Sequence, residues 1–166
     1  MSKPSLFIRK HEELTLSAHA LGELLQAFMD RDLPLRFRVK GFSMAPFIKN
    51  GDVITVSPLK RASLRTGHIV AYSDPETKKV RVHRVIKTMG DHHFIGKGDN
   101  TPMMDGIISQ KNILGCVSQV ERQGKRVFLG LGLERRLIVF MSSRAFYYSL
   151  KRSIKNFLNV IKKRDV

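Results

Sequence analysis

Over residues 12–29, apolar positions recur at spacings of three and four, and Leu14, Ala18, Leu21, Leu25 and Phe28 fall on one face. That spacing predicts an amphipathic helix, which Asp30, Asp32 and Pro34 bring to an end. The period then changes to two. Leu35, Phe37 and Val39 alternate with Arg36, Arg38 and Lys40, as in a strand with one buried face. Further strand-like runs follow at 52–57, 67–73, 79–88, 92–97, 113–122 and 126–130, separated by turn-forming stretches such as DPETK, MGD and QGK. Short strands at this rhythm predict a mainly β domain, antiparallel and coiled or barrel-like. After Gly130 the helical period returns, with Leu133, Leu137, Phe140 and Met141 on one face and Ile154, Phe157, Leu158 and Ile161 on another. The pattern divides the chain into an N-terminal helical segment (1–32), a β domain (33–130) and a C-terminal helical segment (131–166).

Charge sharpens this picture. Thirty Lys and Arg stand against 14 Asp and Glu in 166 residues, a net charge of +16. Such an excess attracts polyanions, either nucleic acid or an anionic membrane surface. Residues 133–166 carry nine basic residues against Glu134 and Asp165. A charge run of this kind commonly makes a solvated face; here it also fits a helix lying in a membrane interface, with Phe157 and Leu158 toward lipid. The absence of Trp and of an aromatic stacking motif speaks against nucleic acid. No apolar run approaches the roughly 20 residues that a spanning helix needs, so the expected location is cytoplasmic or peripheral at a membrane. The single cysteine, Cys116, lies in an apolar strand-like run and reads as a buried, inert thiol.

The candidate chemistry starts in VKGFSMAPFIKNGDVITV, where Ser43 occupies a tight bend between two strands. A serine near neutral pH needs a base within hydrogen-bond reach and donors for the oxyanion. Of the six histidines, His83 is mid-strand in VRVHRVI, where a rigid element would aim it. Two carboxylates, Asp99 and Asp105, lie in the polar loop GDNTPMMDG. Each residue also has a plain structural reading: Ser43 as a turn residue, His83 as an exposed strand histidine beside Arg81 and Lys87, the aspartates as ordinary loop residues. A metal site from His83, Asp91, His92 and His93 lacks a recognisable ligand spacing, and no cofactor is expected.

Three segments taken together resemble the type I signal peptidase family. GFSMAPFIKNGD is similar to its nucleophile box, VHRVI to its second box in the histidine-type form of endoplasmic-reticulum and archaeal members, and GKGDNTPMMDG to its third. The resemblance spans about residues 35–120 and implies a coiled β domain of the signal peptidase and LexA-like type. It implies Ser43 as nucleophile and His83 as base. Asp105, six positions after Asp99, would complete a Ser-His-Asp set, with Asp99 ranked second and expected to support the GDN turn. The Ser43 N–H would serve the oxyanion, Met44 and Pro46 would shape the bend and wall the site, and Phe42 would narrow the cleft. Gly41 offers no hydroxyl where many members have one.

The resulting expectation is a serine endopeptidase that cleaves an extended leader or precursor peptide laid along a strand edge. Two alternatives differ in class. One is a LexA-like self-cleaving regulator, which would use a lysine base, a DNA-binding module and an Ala-Gly cleavage site; this chain has no Ala-Gly dipeptide. The other is a catalytically idle basic module for nucleic acid or an anionic membrane.

Overall fold

The architecture comes from a computed structural model that describes residues 17–59, 64–90 and 92–143. Helix α1 (Ala18–Met29) begins at Ser17, whose hydroxyl accepts the Ala20 N–H at 3.1 Å, a side-chain cap that satisfies one of the orphan donors of the first turn. The expected start at residue 12 lies outside the described residues. The strands are β1 (Leu35–Arg38), β2 (Val53–Ser57), β3 (Ile69–Ser73), β4 (Val80–Met89), β5 (His93–Lys97), β6 (Ile107–Ser109), β7 (Ile113–Arg122) and β8 (Lys125–Val127); helix α2 (Arg135–Ser143) closes the described chain. The domain is mainly β, as the alternation predicts.

All strand pairings are antiparallel, in the order β1-β2-β7-β3-β4-β5-β6, with β8 added to β7. The sheet does not close: β1 and β6 are its two ends. Three register irregularities, at Thr55/Val56, Ala71/Tyr72 and Val85/Lys87, accompany its coiling. Strand β3 lies in the middle of the sheet and is apolar on both faces. Ile69 and Ala71 join the larger core with Leu25, Ile54, Val56, Leu114, Val117 and Val120. Val70 and Tyr72 point the other way, into a smaller core with Val85, Phe94 and Ile108. Period-two alternation in a strand covered on both sides produces this division.

Two expectations are corrected. The final strand stops at Val127, and Phe128 and Leu129 are exposed. Among the described side chains of α2, Ile138 and Val139 are buried, whereas Leu137 is exposed and Leu133 precedes the helix, 93 % exposed. Of the face predicted from Leu133, Leu137, Phe140 and Met141, the first two do not pack on the domain; the side chains of Phe140 and Met141 lie outside the described ones. The helix predicted around Ile154–Ile161 lies outside the described residues. Among the described residues no helix is long and apolar enough to cross a membrane.

Candidate active site

The Ser43 bend connects β1 to β2 and is held from three sides. Within it, Ala45 N–H donates to the Phe42 carbonyl (3.2 Å) and Ile48 N–H to that of Met44 (3.0 Å). At its exit, Asp52 accepts the Lys49 N–H (2.8 Å) and pairs with Arg122 of β7 through bonds of 2.9 and 2.8 Å. Arg122 also donates to the Phe47 carbonyl (3.2 Å), so the Gly-Asp that follows the bend fastens it to the sheet. Burial alone would push the Asp52 carboxyl up, but Arg122 and the Lys49 N–H hold it below its ordinary value. From the third side, Asn100 N–H donates to the Ser43 carbonyl (2.7 Å) and its side chain to the Phe42 carbonyl (3.2 Å). Gly98 permits this approach, since a Cβ there would lie 2.7 Å from the Ser43 oxygen.

His83 comes from β4. Its Nε2 is 3.0 Å from Ser43 Oγ, and its Nδ1 is 2.7 Å from Asp105 Oδ2. A carboxylate only accepts, so Nδ1 carries the proton and Nε2 is left to accept from the serine hydroxyl. His83 is 6 % exposed, which removes its reading as an exposed strand residue. Arg81, on the same face of β4, pairs with Asp74 at 2.7 Å and lies 3.8 Å from Asp105. Gly96 on β5 makes room for the aspartate: a Cβ there would meet Asp105 Oδ2 at 2.8 Å.

The other aspartate is elsewhere. Neighbouring residues of a strand point to opposite faces, so Arg84 leaves β4 on the side away from His83, and Asp99 meets it there. Two bonds of 2.8 Å join Arg84 to both Asp99 oxygens, and Arg84 Nη1 donates to the Gly67 (3.0 Å) and Gly130 (2.8 Å) carbonyls. The guanidinium also lies 5.5 Å from the Phe47 ring centroid, beneath the Ser43 bend. Asp99, the second candidate for orienting His83, thus anchors Arg84 instead. Arg84 is a buried support that the sequence reading missed; its only signal is an arginine in line with Val80 and Val82 on one face of β4.

The remaining candidates separate by exposure. Gly41 takes φ +111° at the entry to the bend, and its N–H donates to Asn50 at 3.0 Å. Met44 is buried in the larger core, supporting the bend from beneath, whereas Pro46 is exposed. Phe42 is exposed, as are Met103, Met104 and Ile107 around Asp105. Lys97 on β5, also missed, is buried; desolvation lowers its pKa, and Asp99 and Asp105 act against that shift. Cys116 is half-buried rather than buried, and burial pushes its thiol up to about 11. Among the described residues no group of His, Cys, Asp or Glu is arranged to hold a metal ion; Asp91 lies outside them.

The constellation has the geometry of a nucleophile, a base and a residue that orients the base. A family model described as Peptidase S24-like matches residues 25–125, a span that contains Ser43, His83, Asp99 and Asp105. No curated protein and no solved structure matches the chain.

Proposed function

The chain belongs to the Peptidase S24-like family, a family of serine peptidases, and from that premise we propose that it is a serine endopeptidase of the histidine-type signal peptidase kind, acting on an extended leader or precursor peptide. The observation that carries this reading is the continuous relay from Ser43 Oγ to His83 Nε2 (3.0 Å) and from His83 Nδ1 to Asp105 (2.7 Å). As Ser43 attacks the scissile carbonyl, His83 takes its proton and later delivers it to the leaving amine. Asp105 holds the tautomer and stabilises the imidazolium. The Ser43 N–H is the proposed oxyanion donor, a contribution of about 3–4 kcal/mol in comparable sites.

A strand edge beside this relay suits an extended substrate. Strand β4 pairs with β3 from Val80 onward, but its ladder with β5 starts only at Arg84. Along Val80–His83 the other edge of β4 therefore faces no strand among the described residues. A peptide added there would pass Ser43 between the exposed apolar side chains of Phe42, Met103, Met104 and Ile107. We place the encounter with substrate at an anionic membrane surface. Exposed Phe128, Leu129, Leu133 and Leu137 are interspersed with exposed Lys125, Arg126 and Arg136, and the basic segment to residue 166 follows.

The family match also favours a second reading, self-cleavage in the manner of LexA-like regulators. Histidine rather than lysine at the base position and the absence of an Ala-Gly dipeptide weigh against it. Cleavage of a signal-like peptide with small side chains before the scissile bond tests the proposal. Ser43→Ala and His83→Ala should abolish turnover, and Asp105→Asn should lower it by about 10⁴-fold. Full activity in both of the first two variants removes the assignment. Intact mass after incubation at raised pH tests the alternative: a chain cut within itself would support self-cleavage.

A further inference from the structure

Tyr72 of β3 is completely buried in the smaller core, and its hydroxyl makes no full hydrogen bond among the described residues. A phenylalanine would fill the same space. The ring meets Phe94 edge-on (centroids 5.8 Å apart) and His83 likewise (6.4 Å), so the packing makes no demand for an oxygen. A buried hydroxyl without a partner costs stability. The Asp105 carboxylate lies near enough to act on it as an acceptor, although no full hydrogen bond is closed.

The partner at hand is Asp105. In the β3–β4 register Tyr72 stands opposite Arg81, on the face of the sheet from which His83 reaches Asp105. Burial raises the phenol above its ordinary pKa and the neighbouring Asp105 carboxylate raises it further, so the group stays a protonated donor across the working range. The charged and titratable groups facing Asp105 are His83 and Arg81 from β4, Lys97 from β5 and Tyr72 from β3, with Asp74 behind Arg81.

Building on the peptidase reading, we propose that Tyr72 is a positioning residue, whose hydroxyl donates to the Asp105 carboxylate while His83 exchanges its proton with Ser43. A donor on Asp105 draws off part of the charge that would otherwise stabilise the imidazolium. Tyr72 thereby sets how strongly the carboxylate assists His83 as it takes the proton from Ser43.

Labelling of Ser43 with a fluorophosphonate, followed against pH, tests this without a known substrate, with Ser43→Ala as the blank. Tyr72→Phe should remain folded with unchanged or higher Tm, while the acid limb of its labelling profile moves up by roughly 0.5–1 pH unit. On that limb it should label about 3–10-fold more slowly than wild type, and the two should converge on the plateau. Incorporation of 3-fluorotyrosine at position 72, a stronger donor of nearly the same shape, should move the limb the other way, and it remains informative if Tyr72→Phe fails to fold. Coincident limbs, or a loss that is uniform across pH, overturn the proposal. A wild-type protein that does not label removes the peptidase reading and this role with it.

Discussion

The substitution Asp99→Asn isolates the support beneath the site. Arg84 is fully buried and the Asp99 side chain is 3 % exposed, so both charges are withdrawn from water. The pair is bidentate, with both bonds at 2.8 Å. Asparagine keeps the shape but removes the charge, and its NH₂ faces a guanidinium that can only donate, so one of the two bonds is lost. Breaking one side of a buried pair costs about 3–5 kcal/mol. The lower end, about 3 kcal/mol, applies here because the Gly67 and Gly130 carbonyls still accept from Arg84. That is a large share of a typical 5–15 kcal/mol of stability, and corresponds to a fall in Tm of about 6–12 °C. Urea unfolding of wild type, Asp99→Asn, Arg84→Met and the double variant measures it. Arg84→Met should cost more than Asp99→Asn, because it leaves a buried carboxylate unpaired and two carbonyls without their donor. The double variant should be less destabilised than the sum of the two, since no lone charge remains. A loss below about 1 kcal/mol for Asp99→Asn, or additive single variants, would refute the argument that this pair is a buried structural anchor.

Other expectations concern the site and the surface. Gly96→Ala should displace the Asp105 carboxylate, which a Cβ would meet at 2.8 Å; peptide cleavage or Ser43 labelling should fall at least tenfold while the Tm moves by only a few degrees, about 1 kcal/mol. Asp52 titrates lower in the folded chain than its ordinary 3.8. The stability it contributes is therefore present above that value and lost as pH falls through the folded one. Asp52→Asn should be less stable near neutrality and lose stability less steeply below pH 4, checked by denaturant unfolding as a function of pH. Removal of residues 133–166 should abolish flotation with anionic liposomes at low salt while leaving neutral liposomes unbound in both forms; equal recovery of the two forms would remove the membrane proposal.

The division of the chain into helix and strands was legible because burial imposes a period of 3.6 or 2 on the sequence. Leu35 and Phe37 against Arg36 and Arg38 in β1 give the pattern directly, and the observed burial follows it. Sequence motifs also singled out Ser43, His83 and two aspartates. They could not say which aspartate faces the imidazole, because that depends on the faces of β4: His83 and Arg84 are adjacent in sequence and opposite in space, and Asp105 and Asp99 follow them to opposite sides. At α2 the local pattern misplaced Leu133 and Leu137 for a related reason. Either Leu133 and Leu137 or Ile138 and Val139 could supply an apolar face, and only the docking of the helix selects between them. Tyr72 was not legible, and Arg84 only faintly so. A buried arginine and a buried phenol look like any others along the chain until the carboxylates that give them meaning arrive from 15 and 33 residues away. The sequence alone thus determined the periodicities and the chemical inventory, which are local properties of the chain. The tertiary structure decided which charges meet, because those meetings depend on strand register and on the side of the sheet from which each loop returns.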